Sequence, residues 1–329
     1  MRVFLSRHWF VCALPAVLAL AAVAPQLGAK GGWLRSEYTA WLGIAALFWT
    51  QGLGLSLEAI HHGLRQWRLN LLIQGFSFVG FPLLGLACDL LFGRMLPSDL
   101  RLGFLFLSVL PSTLSTASAL TAVAGGNTAA AIFNAVASNL AGVVVTPIWI
   151  FWLMQSSGQA PRLSPVAVEL LTVVILPLLA GQVARGWLRN WAEANKSRLS
   201  VGNSLIVLFI ILTAASDSVV AGFLHSHGVT TLIYALAGSA LLLFAAAAIV
   251  DVAAQGLGIA WTGRITACIC APQKSLASGL PLAKIVFGDH PGFAVIILPL
   301  LLYHPLQILV FGLAAGRWSR RNSHLPRPR

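Results

Sequence analysis

Lys274 stands inside a long apolar stretch, two residues after Pro272 and flanked by Gln273 and Ser275. A charge near the bilayer centre costs about 2.5–3.5 kcal/mol on insertion scales and is kept for function by default. Its ammonium can occupy a cation site, pair with an anionic solute or exchange a proton. A lysine that instead snorkels its amine to an interface fits Lys284, near the outer end of the same stretch. Pro111 opens a matching run without the charge: Ser112, Thr113, Ser115, Thr116 and Ser118. With Gln273, Ser275 and Ser278, these side chains suit an ion or the head group of a small organic anion. The competing use is interhelical hydrogen bonding, at about 0.6–2 kcal/mol per bond.

Asn134, Ser138 and Asn139 lie four and five residues apart, so they share part of one helical face and can complete the same cavity. Glu58 and Asp217 end two corresponding apolar stretches, where they can gate a cavity, relay protons or simply be solvated. His304, beside Pro305, is a candidate proton relay. His61, His62, His225 and His227 read as exposed loop residues, and the Cys268-x-Cys270 pair reads as packing, so no metal site is expected. Cys12, Cys88, Cys268 and Cys270 all fall in apolar stretches, which indicates no disulfide framework. Lys274-Ser275 makes a poor catalytic dyad, since neighbours on a helix point about 100° apart. Neither HExxH nor GxSG occurs, so an enzyme is not expected.

The elements that must carry these residues are membrane helices. The chain is 58% hydrophobic and 9% charged, against about 25% charged in soluble domains. Polar punctuation divides it into ten stretches near the length of about 20 residues that a span needs. They are Trp9–Leu27, Thr39–Ile60, Leu69–Phe92, Leu100–Ala124, Thr128–Met154, Pro165–Trp187, Val201–Val220, Thr230–Val250, Gly256–Phe287 and Gly292–Gly316. The net charge of +12 does not indicate nucleic acid, because its placement follows the positive-inside rule. One side collects Arg2, Arg7, Arg65, Arg68, Arg185, Arg189, Lys196, Arg198, Arg264, Arg317, Arg320, Arg321, Arg327 and Arg329. The other collects Lys30, Arg35, Arg94, Arg101 and Arg162. The expected setting is a cell (inner) membrane, with both termini cytoplasmic. Cleavage of the first stretch as a signal peptide is disfavoured, because it would leave nine spans.

Aligning Pro111 with Pro272 brings Gly126-Asn127 close to Gly288-Asp289, and then Thr146-Pro147 to His304-Pro305. Five spans per half is an odd number, so the second half enters from the opposite side. The expected fold is all-α, with ten transmembrane helices in two inverted five-helix repeats, about 1–158 and 159–316. These form one transmembrane domain over 1–329, with a basic tail from 317. Proline removes a helical hydrogen bond and clashes with the preceding turn. Spans four and nine are therefore expected to break near mid-membrane, the arrangement that marks a transporter's binding site when paired across halves.

Several stretches resemble the bile acid:sodium symporter family, and within it the SBF-like branch. In the first half these are Gly52-Leu53-Gly54-Leu55-Ser56-Leu57, Leu71-Leu72-Ile73-Gln74, Ala124-Gly125-Gly126-Asn127, Ala129-Ala130-Ala131-Ile132-Phe133-Asn134 and Pro177-Leu178-Leu179-Ala180-Gly181-Gln182-Val183. In the second they are Lys274-Ser275-Leu276, Gly279-Leu280-Pro281-Leu282-Ala283-Lys284-Ile285-Val286-Phe287 and Tyr303-His304-Pro305-Leu306-Gln307. The resemblance implies a core and a panel bundle, crossing broken helices four and nine, and secondary active transport of an organic anion by alternating access.

The departures bear on coupling. Sodium-coupled relatives resemble one another in carrying Glu four residues before the Gln of helix nine, where this chain has Ile269. They follow that Gln with Asn, where Lys274 stands, and place hydroxyls early in helix five, where Ala129-Ala130-Ala131 lies. Part of a sodium-ligating oxygen set is thus missing, and proton coupling or sodium independence is expected. The coupling ion, Na+ or H+, stays open, and no other cofactor is expected. The lipid bilayer and a small anionic solute are the expected partners; oligomeric state is not fixed. A non-transporting regulator or sensor of membrane or ion homeostasis is the alternative reading.

Overall fold

The computed structural model describes residues 2–54, 66–113, 115–156, 166, 168–220, 228–288 and 290–322. Regular structure among the described residues is entirely helical. In chain order the helices are α1 (Arg2–Val23), α2 (Ser36–Gly54), α3 (Trp67–Gly75), α4 (Phe81–Phe92), α5 (Ser98–Ser108), α6 (Ser115–Val123), α7 (Thr128–Ser156), α8 (Leu176–Ala194), α9 (Lys196–Val220), α10 (Gly228–Gly256), α11 (Trp261–Cys270), α12 (Leu276–Phe287) and α13 (Phe293–Asn322). Six continuous helical segments among the described residues are long and apolar enough to cross a membrane, which makes this a multi-pass membrane protein.

Two prolines within long rods are accommodated by π turns. Phe76–Gly80 joins α3 to α4 just before Pro82, and Leu170–Ile175 leads into α8 just before Pro177. A π turn shifts each hydrogen bond by one residue, so Phe81 N–H reaches Phe76 O. Proline, which has no N–H, then follows without breaking the rod.

Helix ends depart from the apolar boundaries. Helix α8 continues past Trp187 to Ala194, and α9 begins at Lys196 rather than Val201. Helix α10 runs to Gly256 and the chain turns at Gly258, whose φ is +63°. Helix α13 continues past Gly316 into the basic segment, as far as Asn322. Composition marks the edge of the hydrocarbon, whereas backbone hydrogen bonding continues into the interface, where long Arg and Lys stems can snorkel.

The chain divides into two compact units. The first comprises Met1–Leu55, Gly158–Thr230 and Leu280–Ile297. Within it α2 packs on α8, and α1 on α9. The first of these contacts is backbone to backbone: a Cβ on Gly52 would lie 2.1 Å from Leu178 O, and one on Gly181 2.0 Å from Trp49 O. Small residues permit such approaches in membrane bundles. Arg185 then caps α2, donating to Leu53 O at 2.8 Å.

The second unit comprises Ser56–Ser157, Thr231–Gly279 and Leu298–Arg329. Two forked ion pairs brace neighbouring helices in it: Arg101 of α5 grips Asp89 of α4, and Arg264 of α11 grips Asp251 of α10. Helix α6 ends at Val123, and the left-handed residue is Gly125 (φ +73°) rather than Gly126. Gly126 is needed for space, since a Cβ there would meet Thr121 Cγ2 at 2.7 Å. Asn127 then caps α7, its Oδ1 accepting from Ala130 N–H at 3.0 Å.

Candidate functional site

The candidate site lies in the second unit, where the chain leaves helical geometry at Val109–Thr113 and at Ala271–Ser275. Unpaired backbone groups are costly away from water, and polar groups from several elements meet those of both breaks. In the later break, Cys270 O accepts from Ser112 Oγ (2.9 Å), Ala271 O from Ser77 Oγ (3.1 Å) and Pro272 O from Tyr303 Oη (2.8 Å). Gln307 holds Lys274 twice: Oε1 accepts from its N–H and Nε2 donates to its carbonyl, both at 2.9 Å. In the earlier break, Val109 O accepts from Thr146 Oγ1 (2.8 Å) and Ser112 O from Asn139 Nδ2 (3.2 Å), while Ser112 N–H donates to Ser138 Oγ (2.9 Å). The breaks are also joined directly, Ser275 N–H donating to Pro111 O at 2.9 Å.

Lys274 is fully buried, with a relative exposure of 0%. Its Nζ donates to three carbonyls, Ser108 O and Leu110 O at 2.8 Å and Ser77 O at 3.2 Å, and lies 4.2 Å from the centroid of the Phe81 ring. The Ser108 carbonyl ends α5 and that of Leu110 lies just past it, at the negative end of a helix dipole, which favours a cation.

The remaining predicted residues fall into smaller groups. Thr113 donates to Gln273 Oε1 at 2.5 Å, and the hydroxyls of Thr113 and Thr116 are hydrogen-bonded to each other. Among the described residues, the Gln273 amide nitrogen is buried without a hydrogen-bond partner. Ser275 caps α12 through Ser278 N–H at 3.2 Å, and Ser278 Oγ donates to Asn139 Oδ1 at 3.2 Å. Asn134 donates to Asn70 Oδ1 at 2.7 Å and accepts from Gln74 Nε2 at 3.0 Å, a separate amide cluster on α3 and α7. Ser118 is half-buried on α6. Ser115 opens α6, but its side chain lies outside the described residues, as does all of Glu58. His304 Nδ1 is 2.9 Å from Gln307 Nε2, so the ring joins the Gln307–Lys274 group.

Asp217 and Lys284 belong to the first unit and correct one expectation. Lys284 does not snorkel: it is 8% exposed, with Nζ 4.0 Å from Asp217 Oδ2. Asp217 also accepts from Lys30 N–H at 2.8 Å. Its partners come from distant segments, which makes it part of a tertiary contact rather than a solvated helix end. Cys268 and Cys270 are both buried, and the Cys268 thiol donates to Asp251 at 3.5 Å.

Paired breaks stitched to each other and faced by hydroxyls and amides make up the candidate site, and comparison with known proteins assigns the chain's family. Residues 8–320 match the SBF-like CPA transporter family. The chain belongs to that family. Relatives in it include "Uncharacterized protein PA2026" of Pseudomonas aeruginosa, 35% identical, covering 95% of this chain and 93% of that one. "Putative symporter YfeH" of Escherichia coli K12 is 33% identical over 99% of this chain and 97% of its own. "Sodium/bile acid cotransporter 7" of Rattus norvegicus is 32% identical over 92% and 90% respectively. The family is one of transporters, and two of these relatives carry transporter names, so the chain's relatives are transport proteins and not enzymes.

Residue-by-residue reading missed Ser77, Thr146, Tyr303 and Gln307 as holders of the SBF-like breaks. A signal was present for three of them. Tyr303 and Gln307 lie in the family-like Tyr303-His304-Pro305-Leu306-Gln307 stretch, and Thr146 precedes the matched Pro147.

Proposed function

We propose that this protein is a secondary active transporter that moves a small organic anion by alternating access. Its ten spans form two inverted five-helix repeats, with both termini cytoplasmic in the inner membrane. The observation that carries the reading is the pair of breaks joined by Ser275 N–H and Pro111 O. Paired discontinuous helices in corresponding positions are the strongest pointer to a midplane transport site. Helix pairing supports the repeat. Exchanging repeat positions one with six and two with seven turns the α2–α8 contact into the α9–α1 contact, and both occur. The name "Sodium/bile acid cotransporter 7" supports an organic anion as solute.

Sodium dependence is not part of the proposal. Ile269 is fully buried where sodium-coupled relatives have Glu, and Lys274 adds a fixed cation to the same break. The coupling ion is therefore a proton, or sodium is not required. Purified protein in proteoliposomes is expected to take up a small organic anion saturably without sodium. Uptake that needs sodium, ignores pH and survives Lys274→Ala would overturn this reading.

A further inference from the structure

Three carbonyl oxygens converge on the Lys274 Nζ, and two of them, those of Ser77 and Ser108, have lost their own helical partner. At Ser77 the π turn sends Phe81 N–H to Phe76 O, and the next position, Pro82, has no N–H to offer. At Ser108 the N–H four residues on, that of Ser112, goes instead to Ser138 Oγ. Leu110 lies beyond the last turn of α5, immediately before Pro111. These oxygens form a small cluster at the negative end of a half-helix, with the face of Phe81 as one wall. Converging backbone carbonyls replace a cation's hydration shell.

The occupant's chemistry follows from counting donors. Three acceptors at 2.8, 2.8 and 3.2 Å use three N–H groups. An ammonium has three, and a neutral amine only two. Lys274 is 0% exposed and, among the described residues, none of its Nζ hydrogen-bond partners is a carboxylate. Its donors are spent on the backbone, which disfavours direct pairing with a solute anion in this conformation.

We infer that this cluster is a monovalent-cation site whose occupant is the protein's own tethered ammonium. Deleting the side chain converts it into a site for a free alkylammonium ion. The inference rests on the geometry of this unit and not on transport, so it succeeds or fails separately from the proposed function.

The test is thermal melting of purified Lys274→Ala in detergent with n-propylammonium, which replaces the deleted Cγ, Cδ, Cε and Nζ, and with the uncharged n-propanol. The expected result is a lower melting temperature than wild type, raised by about 2–4 °C with saturating n-propylammonium but not with propanol. Wild type should not respond. Lys274→Met, which fills the stem's volume but leaves the oxygens unpaired, should melt below wild type and ignore the additive. A Lys274→Met protein as stable as wild type overturns the inference. So does a Lys274→Ala protein that treats both additives alike, in melting or in the yield of monodisperse protein.

Discussion

The backbone N–H of Ser275 donates to the carbonyl of Pro111 at 2.9 Å, joining two segments 164 residues apart in the chain. The later break thereby supplies a backbone donor to a carbonyl of the earlier one. Side chains on α7 and α13 and in the π turn supply further bonds, so disturbing one holder is felt at both breaks.

Tyr303→Phe leaves Pro272 O without the hydroxyl that now donates to it at 2.8 Å. An unpaired buried carbonyl costs about 1–3 kcal/mol. The variant is expected to melt several degrees below wild type. Tyr234→Phe, at an exposed position on α10, should leave the melting temperature unchanged.

Gln307 satisfies both backbone groups of Lys274, so Gln307→Leu orphans a donor and an acceptor together. The expected loss is about 2–4 kcal/mol of stability, with organic-anion uptake reduced at least several-fold. Gln307→Glu keeps the acceptor for the N–H but brings a carboxylate oxygen towards the Lys274 carbonyl. It should be impaired in both assays as well; melting as stable as wild type would show that the paired grip is unimportant.

At the α2–α8 contact, Gly52→Ala and Gly181→Ala each push a methyl group into the other helix's backbone. Overpacking of this kind costs about 1–3 kcal/mol or more, and here a carbonyl rather than a flexible side chain must yield. Both variants should lose stability, and the double variant less than the sum, because one separation of the helices relieves both contacts. Gly186→Ala, with open space around it, is the control and should melt like wild type.

The two forked ion pairs should respond unequally to Arg→Lys, which cannot reproduce the planar fork. The pairs are similarly exposed overall, Arg101 48% with Asp89 10% and Arg264 26% with Asp251 35%, but Arg264 in addition holds its guanidinium 5.3 Å from the Trp261 ring centroid. Exposed pairs contribute little. Arg264→Lys is therefore expected to cost about 1 kcal/mol or more, and Arg101→Lys clearly less, in parallel melts. The reverse order would mean that the Trp261 contact is not what sets these pairs apart.

Much of this was legible in the residues. Proline in an apolar stretch announces a missing N–H wherever it lies; Pro111 and Pro272 did mark breaks, whereas Pro82, Pro147, Pro177 and Pro305 lie in continuous rods. Repetition of that signal at matched distances, together with family-like stretches, pointed to a transporter. Helix ends were less legible, because apolar length measures the hydrocarbon while α8, α9 and α13 carry charged residues as helix beyond it. The role of Lys284 was misread because position along a span does not reveal that Asp217 faces it.

What the sequence determined by itself was local: which residues lack a donor, where a charge sits in an apolar stretch, and how these features repeat. The tertiary structure decided which groups answer them. Ser77, 194 residues from Ala271 in sequence, hydrogen-bonds its carbonyl, and Lys274 spends its ammonium on backbone oxygens of two other elements. The physical reason is that a carbonyl freed by proline accepts from any donor the fold brings within about 3 Å, so only packing selects the partner.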